Sequence, residues 1–147
     1  MERKELARIL NELLTPVGFK KKGDYWVKNG DLITKLINLQ KSQFSNSFYL
    51  NYGYILKSIP LGNLMMHVYK RFNSDDSHEN IRIQELLDLE NDISDADRGT
   101  GIKQLMLNKV IQDINTVNTE EDLLNELKKR PHLNNIPLVV RKHFNLT

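Results

Sequence analysis

Residues 47–56 read SFYLNYGYIL, and their alternation limits the chain more than any other feature. In an extended strand, successive side chains point to opposite faces. Phe48, Leu50, Tyr52, Tyr54 and Leu56 then share one face, and Tyr49, Asn51, Gly53 and Ile55 the other. The preceding run DLITKLINLQ sorts the same way: Ile33, Ile37 and Leu39 on one face, Leu32, Thr34, Leu36, Asn38 and Gln40 on the other. If the two apolar faces meet one core, Asn38 stands opposite Asn51 and Gln40 opposite Tyr49. A slip of one residue would drive amides into the core, so the register is physically specified.

Upstream, YWVK and DLIT flank Asn29-Gly30, a pair suited to the positive φ angles of a two-residue type I′ turn. That turn predicts Lys28 opposite Asp31, Val27 opposite Leu32 and Trp26 opposite Ile33, with Trp26 on the core side. Leu6, Ile9, Leu10, Leu13 and Leu14 follow a helical stripe that Thr15-Pro16 and Gly18 end. LMMHVYKRF predicts a fourth strand, with Met66, Val68, Lys70 and Phe72 alternating with His67, Tyr69 and Arg71. NSDDSHEN reads as a turn, IRIQELLDL as a strand from Ile81 and Ile83 flanking Arg82, and SDADRGTG as a loop. Ile102, Leu105, Met106, Val110, Ile114 and Val117 form a helical stripe. Thr119 and Asp122 make a capping box in which Asp replaces the usual Glu, Leu123, Leu124 and Leu127 face inward, and Pro131 ends that helix. A short helix over 137–144 follows. The expected fold is α+β: an antiparallel β-sheet of about five strands, with an N-terminal helix and C-terminal helices packed on one face.

The 147 residues predict a single domain, 1–147, large enough to bury its own core. Without cysteine, disulfides and thiolate metal sites are excluded. MERKELARIL turns amphipathic and charged at once, unlike a signal peptide, and no run approaches a membrane span, so a cytoplasmic chain with no membrane partner is expected. Residues 1–72 hold 12 Lys/Arg against 5 Asp/Glu, and residues 73–147 hold 9 against 14. A basic half of this kind attracts acidic partners, although its lysines are scattered rather than clustered with aromatics.

The segments GFKKKGDYWVKNGD, INLQKS, FYLNYGY and SHENIR, in that order and spacing, resemble the bacterial proteins grouped as domain of unknown function 4304. The matching positions are Gly18, Phe19, Lys20 and Lys21, then Gln40, Lys41 and Ser42, then Asn51 and Gly53, then His78 and Arg82. The resemblance spans about the first 90 residues. It implies a bacterial, single-domain α+β protein and no established activity.

The candidate binding residues are Asn38, Gln40, Ser42, Tyr49 and Asn51, with His78 and Arg82 as a pair that a sheet edge would bring near them. Amides both donate and accept, so a cluster of them can read a peptide edge, a base edge or a sugar. Gly53 predicts either a close backbone approach or a β-bulge. No catalytic constellation is expected. His67, His78, His132 and His143 lack metal-ligand spacing, and there is no nucleotide loop or nucleophile elbow. An EF-hand starting at Asp88 fails, with Ile93 at its sixth position and Gly99 at its twelfth. Lys20-Lys21-Lys22 beside Tyr25 and Trp26 suits phosphate contacts and base stacking, yet the register turns Trp26 inward and leaves a solvated turn. The expectation is a non-catalytic module that binds another protein, immunity-like or an adaptor, without cofactor or metal. The alternatives are nucleic-acid binding through the basic half, and an enzyme using His78, Arg82 or His67 with the amides.

Overall fold

The computed structural model describes residues 1–146. Helix α1 (Arg3–Leu14) runs into a 3₁₀ turn at Thr15–Val17, closed by Gly18 at φ 98°. Five antiparallel strands follow in simple meander order: β1 (Lys20–Lys22), β2 (Tyr25–Lys28), β3 (Ile33–Lys41), β4 (Phe48–Leu56) and β5 (Val68–Arg71). Then come α2 (Ser77–Leu87), α3 (Asp95–Leu105), a π-helical stretch (Met106–Val110) leading into α4 (Ile111–Ile114), α5 (Glu120–Lys128) and α6 (Leu138–His143). The chain is α+β, as the sequence predicts. Among the described residues no helix is long and apolar enough to cross a membrane.

The β3–β4 pair is the longest ladder, and it has the expected register: Asn38 faces Asn51, and Gln40 faces Tyr49. Phe48, Leu50, Tyr52, Tyr54 and Leu56 are all buried on the inner side. Trp26 is fully buried there, and its ring N–H donates to Asn11 Oδ1 of α1 at 3.2 Å. The buried apolar residues of the helices join the inward residues of β2, β3 and β4 in one core cluster.

Three expectations need correction. The two-residue turn at Asn29-Gly30 does not form: Lys28 faces Lys35, not Asp31, and Trp26 faces Ile37. Neither Asn29 nor Gly30 has a positive φ. The tip moves to Asp31 and Leu32, because β4 continues to pair beyond Leu56, with Lys57 N–H donating to Leu32 O at 3.1 Å. Lys57 Nζ also reaches Gly30 O, at 2.9 Å. The displacement is an even number of residues, so every side chain keeps its face.

Second, residues 81–87 are helix, not strand. Asp76 caps α2 by accepting from Glu79 N–H at 3.1 Å, and Ile83, Leu86 and Leu87 face the core while Ile81 stays exposed. The fifth strand is instead the exposed lysine triplet of β1, which lies along β2 rather than forming a turn. Third, the expected loop at 94–101 is mostly α3. Ser94 caps it, accepting from Asp97 N–H at 3.1 Å. Its glycines serve helix packing: a Cβ on Gly101 would lie 2.9 Å from both methyl carbons of Leu86. Arg98, just before them, is fully buried and donates to the carbonyls of Glu85, Leu86, Asp88 and Asn91, closing the end of α2.

Of the two readings of Gly53, close approach is the one realised. A Cβ there would lie 2.0 Å from Val68 O and 2.6 Å from Tyr69 Cα, so β5 occupies the space a side chain would need. Gly53→Ala must push β5 away, and denaturant unfolding should register a loss of about 1–3 kcal/mol, typical of overpacking against backbone.

The C-terminal helices are tied to the sheet end through Glu120. Its carboxylate accepts from Ser58 Oγ at 2.6 Å and meets His143 Nε2 at 2.6 Å. The Ser58 hydrogen bond first, and His143 second, hold its pKa below the ordinary 4.5. A folded-state pKa below the unfolded value contributes stability that is complete above about pH 4.5 and is lost as pH falls through the folded value. Glu120→Gln should flatten the acid limb of a stability–pH profile in that window.

Candidate functional site

The outward sheet face carries no helix: Val27, Leu36 and Ile55 lie on it, and none belongs to the core cluster. The paired strands arrange its residues in rows. One row runs Lys22, Tyr25, Asn38, Asn51, Arg71 across all five strands, and the next runs Lys20, Val27, Leu36, Gly53, Tyr69. Gln40 and Tyr49 begin a third row, and Thr34 with Ile55 forms a fourth. No outward residue of β1–β5 is an Asp or Glu.

The amides form one network. Asn51 Nδ2 donates to Asn38 Oδ1 at 3.1 Å and to Gln40 Oε1 at 2.9 Å. Asn38 Nδ2 donates to Asp24 O at 3.3 Å, which ties β3 to the β1–β2 turn. Arg71 donates through Nε to Asn51 Oδ1 at 3.4 Å and through Nη2 to Gln40 Oε1 at 3.2 Å. Its guanidinium also lies 3.9 Å from the centre of the Tyr49 ring. Asn38 and Asn51 are buried, whereas Gln40, Tyr49 and Arg71 are exposed. The buried amides therefore order the network, and the unused donors sit at its rim: the Gln40 amide nitrogen and Arg71 Nη1 have no partner among the described residues. Such a rim can donate to acceptors, meaning carbonyls and carboxylates.

Asn38, Gln40, Tyr49 and Asn51 are thus brought together. Ser42 sits at the end of β3 and serves the β3–β4 turn: its N–H donates to Ser47 O at 2.8 Å, and its Oγ accepts from Phe44 N–H at 3.2 Å. That turn lifts Phe44 into solvent with 94 % of its surface exposed, beyond the Gln40–Tyr49 end of the face. His78 and Arg82 do not join the set. They are exposed on α2, whose Ile83, Leu86 and Leu87 pack into the core on the far side of the sheet. Arg82 lines a groove there with Asp92, Ser94 and Asp97. His67 is fully buried and serves the backbone: Nδ1 accepts from Leu56 N–H at 2.9 Å, which leaves Nε2 to donate to Pro60 O at 2.9 Å.

Sequence reasoning did not place Arg71, Tyr69 and Phe44 at this face. The signal for two of them is the alternation in β5, which separates Tyr69 and Arg71 from Val68 and Lys70. Setting β5 beside β4 completes the row.

A family model described as Domain of unknown function (DUF4304) matches residues 10–129, well past the first ninety residues that carry the resemblance. No curated protein and no solved structure matches the chain.

Asn51→Ala strands the Asn38 oxygen in a buried site and frees Arg71. Unfolding should show a loss of about 1–3 kcal/mol, the usual cost of a buried polar group left unpaired. Gln40→Ala at the solvated end should cost under about 1 kcal/mol, so that variant remains folded for binding work.

Proposed function

The chain belongs to the DUF4304 family, and from that premise we propose that it is a non-catalytic protein-binding module of the bacterial cytoplasm, immunity-like or an adaptor, which docks an acidic protein surface on its outward sheet face. The observation that carries this reading is the distribution of charge across the rows. The centre is uncharged, with Val27, Leu36, Ile55 and the paired asparagines, and the cations Lys20, Lys22 and Arg71 stand at the two edges. Protein interfaces have this plan, with charge depleted at the core, aromatics and arginine enriched, and polar groups at the rim. Tyr25, Tyr49, Tyr69 and the projecting Phe44 supply aromatic anchors. Complementarity to the edge cations calls for carboxylates on the partner.

A second reading, single-stranded nucleic acid, draws on the same lack of carboxylates and on the tyrosines as stacking platforms. The protein reading is stronger because three edge cations make a short phosphate track, and Arg71 is already engaged by Asn51, Gln40 and Tyr49.

The test starts from a protein retained by the immobilised chain and continues with both partners purified in calorimetry. Lys20→Glu with Lys22→Glu should weaken the complex by about tenfold or more, while Lys103→Glu on exposed α3 should leave it unchanged. Equal affinity across the three proteins would refute docking on this face. A chain that instead binds a mixed-sequence single strand, with affinity falling steeply from about 50 to 200 mM salt, would transfer the face to nucleic acid.

A further inference from the structure

A second site lies at the free edge of β5, on the helix side of the sheet. A cleft of about 570 Å³ opens between β5 and the segment from α5 to Asn135. That volume suits a small molecule. Its wall includes Tyr54, Lys70, Glu126, Arg130, His132 and Asn135.

Two features point to an occupant. Tyr54 is 95 % buried, being only 5 % exposed, and its hydroxyl, which bonds to no other described residue, is the part of it left open to the cleft. Its neighbour Tyr52 differs, donating to Asp113 Oδ2 at 2.6 Å. The second feature is Arg130. The two lysines that line the cleft are already paired, Lys70 with Asp113 at 2.5 Å and Lys129 with Glu126 at 3.4 Å. Arg130 is half-buried and has no carboxylate within ion-pair distance among the described residues; its Nη2 donates to Tyr69 O at 3.2 Å. Burial pulls its guanidinium below the ordinary value, and Glu126, which lines the same cleft without pairing with it, offsets that only in part. The Tyr54 hydroxyl is pushed the other way, by burial first and Asp113 second, so it remains a neutral donor near pH 7.

We propose that this cleft binds a small molecule through a compact oxyanion, a carboxylate or phosphate ester, held by the fork of Arg130 and the hydroxyl of Tyr54. Planar guanidinium suits either group and binds it through paired, charge-assisted hydrogen bonds. Arg130 already fills the outward carbonyl of Tyr69, which a peptide strand added to β5 would need, so the cleft suits a compact ligand better than an extended chain.

The experiment is a titration of the whole chain with inorganic phosphate and, separately, with succinate, followed by calorimetry and by ¹⁵N amide shifts. Saturable one-to-one binding is expected, with shifts confined to residues 52–54, 68–73 and 126–135. Arg130→Gln should weaken it by about tenfold or more, and Tyr54→Phe, which removes only an oxygen, by severalfold, with folding confirmed by circular dichroism. Preference for phosphate or for succinate assigns the oxyanion. Binding that both variants leave intact would make the ions adventitious and overturn the proposal, as would the absence of saturation by either probe up to about 10 mM. A positive result with the protein-docking variants inert, or the reverse, separates this site from the outward face.

Discussion

The pairing of β3 with β4 is the constraint on which the rest of the molecule depends. It is a long, unbroken ladder, and its parity decides the fate of every side chain on both strands. With Asn38 against Asn51, the amides pair with each other and Ile33, Ile37, Leu39, Phe48, Leu50 and Leu56 face the core. Shifted by one, the same strands would bury amides under α1 and present Phe48, Leu50 and Leu56 to water. Each unpartnered amide would cost on the order of 1–3 kcal/mol, and each exposed large apolar side chain a similar amount. The gap between the two registers is therefore large compared with the stability of a domain. The buried lysine of the inner face, Lys35, conforms because it sits near the sheet end: its amine reaches out to Asn118 Oδ1 at 2.7 Å, and burial pulls its pKa down.

This division of faces assigns the two halves of the sequence different work. The helices consume the inner face, and Arg98, His67 and Glu120 hold the helices and loops around it through hydrogen bonds and, at Glu120, charge. The outer face needs no cover because its buried polar groups satisfy one another. A fully connected network is stiff, and stiffness is what lets the donors at its edge keep a fixed geometry toward a partner. Asn38 and Asn51 are positioning groups in this sense. In the proposed docking, contact falls to Gln40, Arg71 and the aromatics around them.

What was legible in the sequence follows from which forces act locally. The β3–β4 register and the amide cluster could be read because period-two alternation over long strands has only one low-energy pairing. The hairpin at Asn29-Gly30 could not, because a local turn preference lost to a non-local one: the pull of β4 on Leu32 and Ile33 outweighed a favourable dipeptide. Helix α2 hid behind Ile81, an exposed apolar residue that mimics strand alternation beside Ile83. Helix α3 hid behind Gly99 and Gly101, which look like loop residues until α1 and α2 are packed against them. Arg71 and the Tyr54–Arg130 cleft depend on what lies along the edge of β5, and short-range pattern carries no information about that.

The family match bears unequally on the two surfaces. Residues 10–129 contain all five strands, so all four outward rows and the amide network fall inside the matched span. Arg130 lies one residue beyond it, together with His132, Asn135 and α6. The outward face, proposed for docking, is thus made wholly from the matched segment, whereas the cleft needs a wall from the residues that follow. Tyr54 joins the two, since the alternation that turns Ile55 outward beside Thr34 turns Tyr54 inward toward the cleft. Its unpaired hydroxyl is a consequence of the same register that pairs the asparagines. One ladder satisfies the polar groups on one side of the sheet and leaves a donor free on the other.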